Sequence, residues 1–301
     1  MNKKLASNAA LLLAAIIWGF AFVAQVDGMK YIGPFTMIGV RFVISIVALL
    51  PVILIFERKR LTKKELKSTV EASLIVGLLL FCAVSVQQFD IQITASAGVS
   101  GFISGLYTIF VPMAYFLFFR KKAGIQVWIG ALCAVIGLFI LCYDPRNGFE
   151  FGLGELLLLI GSFMWTAHVM LIDHYVKSVR PLHLSWGQFA VCAVLGIICM
   201  FAFESDRLSV SSLLDAKWSL LYCGILSSGC AYTLQVVGQK NADPSYAAII
   251  LSTESAFGAI GGAIFGIDDI ELIGYAGCVL MFVGIVCSQL EFKRKKEKLN
   301  E

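Results

Sequence analysis

The chain has 301 residues, of which 59% are hydrophobic and only 15% are charged, and its mean hydropathy is +0.85. A soluble domain usually carries about 25% charged residues, so these values exclude a soluble globular protein and predict an all-α integral membrane protein. The formal net charge is +4. Because the basic residues border apolar runs and form no nucleic-acid-binding motif, we expect the lipid bilayer and not nucleic acid as a partner.

Ten apolar runs follow one another along the chain, each long enough to predict a transmembrane helix. They lie near residues 8–26, 34–56, 70–89, 97–119, 125–143, 153–172, 182–203, 217–238, 245–266 and 271–290. No connecting segment is long enough to fold as a soluble domain. The first run is followed by no small-residue cleavage site, so we expect it to be retained as a helix.

The Lys and Arg residues predict the orientation of these helices. If the loops alternate between the two membrane faces, almost all basic residues fall on one face, including the clusters at 58–67, 120–122 and 293–298. Loops rich in Lys and Arg face the cytoplasm, so both termini are predicted to be cytoplasmic. We expect the protein in the cytoplasmic membrane of a bacterium.

The second half of the sequence repeats the first. Several residues recur 147 positions later, namely Trp18/Trp165, Pro34/Pro181, Gly77/Gly224, Gln88/Gln235, Gly130/Gly277 and Gly137/Gly284. The predicted domains are therefore a first five-helix repeat at 8–143, a second at 153–290, and a basic cytoplasmic tail at 291–301. Five spans are an odd number, so the second repeat must cross the membrane in the opposite direction. Inverted repeats are typical of secondary transporters, which bind substrate between the two halves.

The ninth apolar run carries a carboxylate near the middle of the bilayer. Asp243 and Pro244 are typical of a helix start, and we expect one helix from there to about Gly266. Glu254 lies about 15 Å along that helix, where an exposed charge costs about 3 kcal/mol or more. It should therefore face a polar cavity or a partner, or carry a proton. The nearby Ser252 is a second candidate for this pathway.

Other polar and aromatic residues within the apolar runs are open to two interpretations each. Trp18 and Trp165 lie mid-span, where a Trp either lines a cavity or packs between helices. Arg41 either extends to the membrane surface or acts as a partner or gate for Glu254 or for a substrate carboxylate. His168 is either a proton-sensitive group or a hydrogen-bonded packing residue.

Three further polar residues are candidate ligand contacts. Gln88 and Gln235 can hydrogen-bond to another helix or to a ligand. Tyr107 lies near Pro112, where a kink is expected, and either contacts a ligand or packs. The glycines of the fifth and tenth runs predict tight packing, either as a scaffold pair or as a homodimer surface.

Several kinds of chemistry lack their residues. All nine cysteines lie in apolar runs, which indicates buried side chains and neither disulfides nor a metal site. There is no phosphate-binding loop, dinucleotide turn, zinc-protease motif or nucleophile elbow, so we expect no cofactor and no enzymatic activity. Any uphill transport must then use an ion or substrate gradient.

Two stretches carry a resemblance to a known family: TASAGVSGFISGLYTIFVP at 94–112 and PSYAAIILSTES at 244–255. With the ten spans and the repeated tryptophans, they resemble the EamA family of the drug/metabolite transporter superfamily. The resemblance implies a ten-helix inverted repeat, a central cavity lined by helices 1–4 and 6–9, and transport, usually outward, of amino acids or similar metabolites. The family often has Pro after the glutamate, whereas Ser255 follows Glu254 here, so the local kink is left open. The corresponding position in the fourth helix is Ile109, so no symmetric carboxylate pair is expected.

We therefore expect a secondary transporter that exports amino acids or similar small metabolites by alternating access. Two alternatives are a multidrug or nucleotide-sugar-type carrier of the same superfamily and, from another class, a membrane sensor that binds a ligand without moving it. The predicted substrate pathway comprises Trp18, Gln88, Tyr107, Trp165, Gln235, Ser252 and Glu254, with Arg41 and His168 as possible charge partners or gates.

Overall fold

The computed structural model describes residues 3–94, 105–120, 124–142, 153–267 and 272–289, and all regular structure in these ranges is helical. The helices are α1 (Lys3–Gly28), α2 (Pro34–Phe56), α3 (Lys63–Thr94), α4 (Tyr107–Phe119), α5 (Ile125–Cys142), α6 (Leu153–Tyr175), α7 (Pro181–Phe203), the short α8 (Val210–Asp215), α9 (Lys217–Gln239), α10 (Pro244–Ile264) and α11 (Leu272–Gln289). The start of the predicted fourth span and the tail at 291–301 lie outside the described residues.

Six of these helices are long and apolar enough to cross a bilayer, namely α1, α2, α3, α7, α9 and α10. Shorter apolar helices are found in α4, α5 and α11. The prediction of an all-helical membrane protein is thereby confirmed in its coarse form. α3 continues to Thr94, one turn beyond the predicted end of the third span.

Helix starts follow the sequence signals. Pro34, Pro181 and Pro244 each occupy the first turn of a helix, where the missing N–H of proline costs nothing. The Asp243 side chain accepts a hydrogen bond from the Ser245 backbone N–H at 2.9 Å, as an N-cap should.

The outer surface of the helices is apolar. On α2 the exposed residues Val47, Leu50 and Leu54 follow one another three or four positions apart, so they form one stripe. α7 carries a similar stripe with Val194, Ile198 and Phe201. Stripes of this kind on a helix are stable only against another apolar phase, so these faces contact lipid.

α5 and α11 pack against each other through their glycines. A Cβ atom on Gly137 would lie 2.5 Å from the backbone oxygen of Gly277, and one on Gly284 would lie 2.7 Å from that of Gly130. Residue numbers rise along one helix as they fall along the other, so the two helices run antiparallel. These glycine faces cover each other within a single chain, which favours the scaffold interpretation over a surface for a second copy.

Contacts of the first half recur in the second half. A Cβ on Gly77 would lie 2.7 Å from Val191 Cβ, and one on Gly224 would lie 2.6 Å from Ile44 Cβ. Gly77 and Gly224 are 147 positions apart, and so are Ile44 and Val191. The second contact is therefore the first one with the two halves of the chain exchanged. α3 therefore packs on α7 as α9 packs on α2.

Candidate functional site

A cavity lies among the helices and takes its walls chiefly from α1, α6, α9 and α10, with one residue each from α2, α3 and α4. The empty volume of the cavity is about 490 Å³. The centre of a water molecule can occupy about 30 Å³ of it without touching a protein atom. That is room for about two ordered waters. The residues around it are Trp18, Ala21, Phe22, Gln25, Arg41, Gln87, Tyr107, Trp165, Val169, Ser227, Tyr232, Gln235, Leu251 and Glu254.

Glu254 enters this cavity because α10 is interrupted beside it. The span Pro244–Ile264 agrees with the predicted helix, and the kink that the sequence left open is present as a turn at Ser252 and Thr253 between Pro244–Leu251 and Glu254–Ile264. The hydroxyl groups of Ser252 and Thr253 donate to the carbonyl oxygens of Ile249 and Ile250 at 2.9 and 2.6 Å. Hydroxyl groups bonded back to the preceding turn bend helices, so this break needs no proline.

The break also places the Glu254 carboxylate at a helix start. Glu254 is the first residue of the second segment of α10, where the partial positive charge of the helix end favours an anion. Its side chain is 8% exposed, and none of the described residues forms a hydrogen bond or ion pair with the carboxylate. The protein thus holds a buried acid that is open to a partner from the cavity.

Tyr232 is the centre of the aromatic wall. Its ring centroid lies 4.7 Å from that of Trp18, edge to face, and 6.3 Å from that of Trp165, stacked. The Trp18 indole Nε1–H donates to the backbone oxygen of Ser227 at 3.0 Å. Ser227 lies in a π-helical stretch of α9, Tyr222–Ala231, and π-helical turns are frequent at functional sites.

Besides Arg41 Nε–H, two other polar atoms at the cavity are buried without a partner among the described residues. They are the indole Nε1–H of Trp165, a donor, and the side-chain oxygen Oε1 of Gln235, an acceptor. Unpaired buried polar groups cost about 1 to 3 kcal/mol each, and a ligand that pairs with them recovers that free energy.

Arg41 faces the cavity and does not extend to the membrane surface. Only 2% of the residue is exposed, and its Nη1 donates to Gln25 Oε1 at 3.0 Å. Its Nε–H has no partner in the described part of the chain. The guanidinium is therefore anchored at one end and still has a donor to offer.

Three predicted site residues do not line the cavity. Gln88 is fully buried behind it, and Gln87 takes the place at the wall, because one residue turns the helix by about 100°. The hydroxyl of Ser252 is used inside α10. His168 is fully buried behind Trp165, and its Nε2 is hydrogen-bonded to Gln188 Oε1 at 3.1 Å, which favours the packing interpretation.

Sequence reasoning did not identify the role of Tyr232. A signal existed, because Tyr232 precedes Gln235 by three residues and therefore shares its helix face. Gln25, which accepts the hydrogen bond from Arg41 and lines the cavity, was also not among the predicted site residues. No three His, Cys, Asp or Glu side chains come together as metal ligands among the residues that the structure describes.

Comparison with known proteins gives the family. The profile of the EamA-like transporter family matches residues 6–143 and again 152–289. The chain is similar to YoaV of Bacillus subtilis, named an uncharacterized transporter, at 26% identity over 292 residues, 95% of this chain and 97% of that protein. An uncharacterized transporter of Archaeoglobus fulgidus is 23% identical over 290 residues, 96% of this chain and 87% of that protein.

One solved crystal structure has the same fold. It superposes with a TM-score of 0.76 and 16% identity, and the match covers 94% of this chain and 96% of that one. With the family profile matched over both halves, the chain belongs to the EamA-like transporter family of the drug/metabolite transporter superfamily, whose members are membrane transporters and not enzymes.

Proposed function

We propose that this protein is a secondary transporter in a bacterial cytoplasmic membrane that exports amino acids or similar zwitterionic metabolites by alternating access. The observation that carries the proposal is the cavity itself. Its lining includes the acid Glu254, an arginine whose Nε–H has no partner among the described residues, and the aromatic rings of Trp18, Trp165 and Tyr232.

The proposed architecture is two inverted five-helix repeats with both termini cytoplasmic. Three observations support it: the antiparallel packing of α5 on α11, the contacts that recur 147 residues apart, and the family profile that matches each half separately. The excess of Lys and Arg in alternate loops supports the orientation. A cavity at the interface of such repeats can open to either face as the halves rock.

An amino acid matches the polar groups of the cavity. Its ammonium group needs an anion and an acceptor, and the carboxylate of Glu254 and the amide oxygen of Gln235 are both without partners among the described residues. Its carboxylate needs donors, and Arg41 Nε–H and Trp165 Nε1–H are both unpaired. The rings of Trp18 and the other aromatic residues suit an organic cation or an apolar side chain.

The alternative carriers fit less well. A nucleotide sugar brings a diphosphate, which requires several cationic groups, and Arg41 is the one basic residue at the cavity wall in the described part of the chain. An apolar drug cation would pair with Glu254 but leave the donors Arg41 Nε–H and Trp165 Nε1–H unpaired.

The test is counterflow in proteoliposomes. Vesicles preloaded with unlabelled L-amino acids should accumulate a radiolabelled L-amino acid mixture faster than protein-free vesicles, and E254Q should abolish the difference. Saturable binding without counterflow would indicate the sensor function instead. For direction, cells that overproduce the protein should resist toxic amino-acid analogues, and greater sensitivity would contradict export.

A further inference from the structure

Helices α2 and α7 are joined at both ends by a glutamate that follows one helix and binds the start of the other. Glu204 Oε1 accepts from the Phe35 backbone N–H at 2.8 Å, and its Oε2 accepts from the N–H and the hydroxyl of Thr36 at 2.8 and 2.7 Å. At the other end the Glu57 carboxylate is hydrogen-bonded to His183 Nδ1. We call these contacts the Glu204 clasp and the Glu57 clasp.

The two clasps are copies of each other in the internal repeat. Glu57 and Glu204 are 147 residues apart, and so are Thr36 and His183. Each glutamate directly follows the last residue of its helix, and each partner lies in the first turn of the other helix. At both ends of this antiparallel pair a glutamate thus meets the first turn of the other helix, through backbone N–H groups and Thr36 at one end and through the His183 side chain at the other.

The Glu204 clasp would be costly to open. The Glu204 carboxylate satisfies N–H groups of the first turn of α2 that have no partner within the helix, and the helix end favours its charge. Only 8% of Glu204 is exposed, so separation would leave a carboxylate and several donors unpaired in a poorly hydrated place. Gly33 completes the fit, because a Cβ atom there would collide with the Glu204 carboxyl group.

Between the clasps the backbones of the two helices are in close contact. A Cβ atom on Gly196 would lie 2.7 Å from Gly39 Cα, so backbone packs directly on backbone at this crossing. The rings of Phe42 and Phe189 follow further along, with centroids 5.7 Å apart. Contact thus extends from one end of the pair to the other.

The cavity lies to one side of this pair. α7 contributes no residue to its wall, and α2 contributes Arg41, while α3 and α4 contribute one residue each. The walls come from helices that pack in other pairs, such as α4 with α6, where the Tyr115 hydroxyl donates to Asp173 Oδ2 at 2.8 Å, and α1 with α10, where Gly19 meets Gly258.

We propose that α2 and α7 form a spine that stays closed at both ends throughout transport, with Glu57 and Glu204 as its two positioning residues. Access to the cavity then alternates by movement among the helices that form its walls, and α4 against α6 serves as the reporter of that movement. In alternating access the gate at one membrane face is open while the gate at the other face is closed. The α2–α7 spine differs from a gate because both of its ends stay closed. The inference rests on the proposed alternating access and adds which helix pair stays together.

The test measures distances between pairs of nitroxide labels by electron paramagnetic resonance in liposomes, in a chain whose nine native cysteines are replaced. One pair, Y31C with F203C, reports the Glu204 end, and F56C with L182C reports the Glu57 end. A third pair, F118C with H174C, reports α4 against α6. Samples are compared at pH 6 and pH 8, each with and without the L-amino acid mixture.

Each spine pair should show one narrow distance under every condition. The α4–α6 pair should be broad or show two distances that differ by about 5 Å, the scale of a helix shift between states. Two separated distances at either spine end would overturn the proposal, and so would one unchanging narrow distance for α4–α6. These distances need no transport readout, so absent amino-acid counterflow would reject the substrate without altering this result.

The clasps themselves are tested by removing one carboxylate at a time. E204A should broaden the distance at the Glu204 end only, and E57A should broaden the distance at the Glu57 end only. The matched control is D206A, an exposed carboxylate two residues from Glu204, which should broaden neither. If E204A and E57A leave both distances as narrow as D206A does, the glutamates do not position the spine.

Discussion

Replacing Glu254 with glutamine tests the proposed site most directly. The change keeps the size of the side chain and removes only its charge, and the carboxylate has no partner among the described residues, so the fold should be little affected. Loss of one member of a buried charge pair costs about 2 to 5 kcal/mol of binding free energy. At about 1.4 kcal/mol per tenfold, the Kd of an amino acid should rise by between roughly 30-fold and 4,000-fold.

Binding can be followed by tryptophan fluorescence, because Trp18 and Trp165 both line the cavity. Comparison of three ligands then assigns the charges: an amino acid, its methyl ester, which lacks the carboxylate, and its N-acetyl form, which lacks the ammonium. E254Q should weaken binding of the amino acid and of its methyl ester, which both carry the ammonium. R41Q should weaken binding of the amino acid and of its N-acetyl form, which both carry the carboxylate. An equal loss for all three ligands with E254Q would refute the ammonium pairing, as would a Kd within twofold of the wild type for the amino acid.

Two further predictions use pairs of matched variants. W18F removes the indole donor to Ser227 and should lower the free energy of unfolding, measured by denaturation in detergent, by about 1 kcal/mol. W165F removes an unpaired donor and should weaken amino-acid binding at unchanged stability. A loss of stability with W165F and not with W18F would contradict these roles. G137A pushes a methyl group against the backbone of α11 and should destabilise by about 1 to 3 kcal/mol, whereas at Gly161 the nearest atom is 3.4 Å away, so G161A should be neutral or stabilising. Equal melting temperatures for these two glycine variants would show that α5 and α11 do not pack this closely.

The helical membrane fold and the helix starts could be predicted because they depend on local properties. Apolar runs require helices in lipid, since every backbone N–H and C=O must then be paired within its own segment. Pro34 and Pro244 mark helix starts because the proline ring fixes its own backbone angle and has no N–H to leave unpaired.

The candidate site was only partly predictable. Glu254, Trp18, Trp165, Tyr107 and Gln235 could be named because polar and amphipathic groups in mid-membrane need a cavity or a partner. That they are substrate contacts stays a prediction, whereas their position around one cavity is observed.

The rotation of each helix about its own axis was harder to predict. Gln87 and Gln88 are neighbours of the same type, and the direction in which α3 faces decides which of them reaches the cavity. The sequence also left the break in α10 open, because a hydroxyl that bonds to its own helix and one that faces a ligand look alike in a sequence.

The sequence by itself determined that the chain is a helical membrane protein of two related halves, because hydrophobic runs, loop charges and repeated residues are all properties of order along the chain. Only the tertiary structure decided that Glu204 binds the start of α2, that Tyr232 stands between Trp18 and Trp165, and that Arg41 reaches a cavity containing Glu254. These contacts join residues far apart in sequence. They depend on how each helix is rotated about its axis and on which helices become neighbours, and packing among all the helices sets both together.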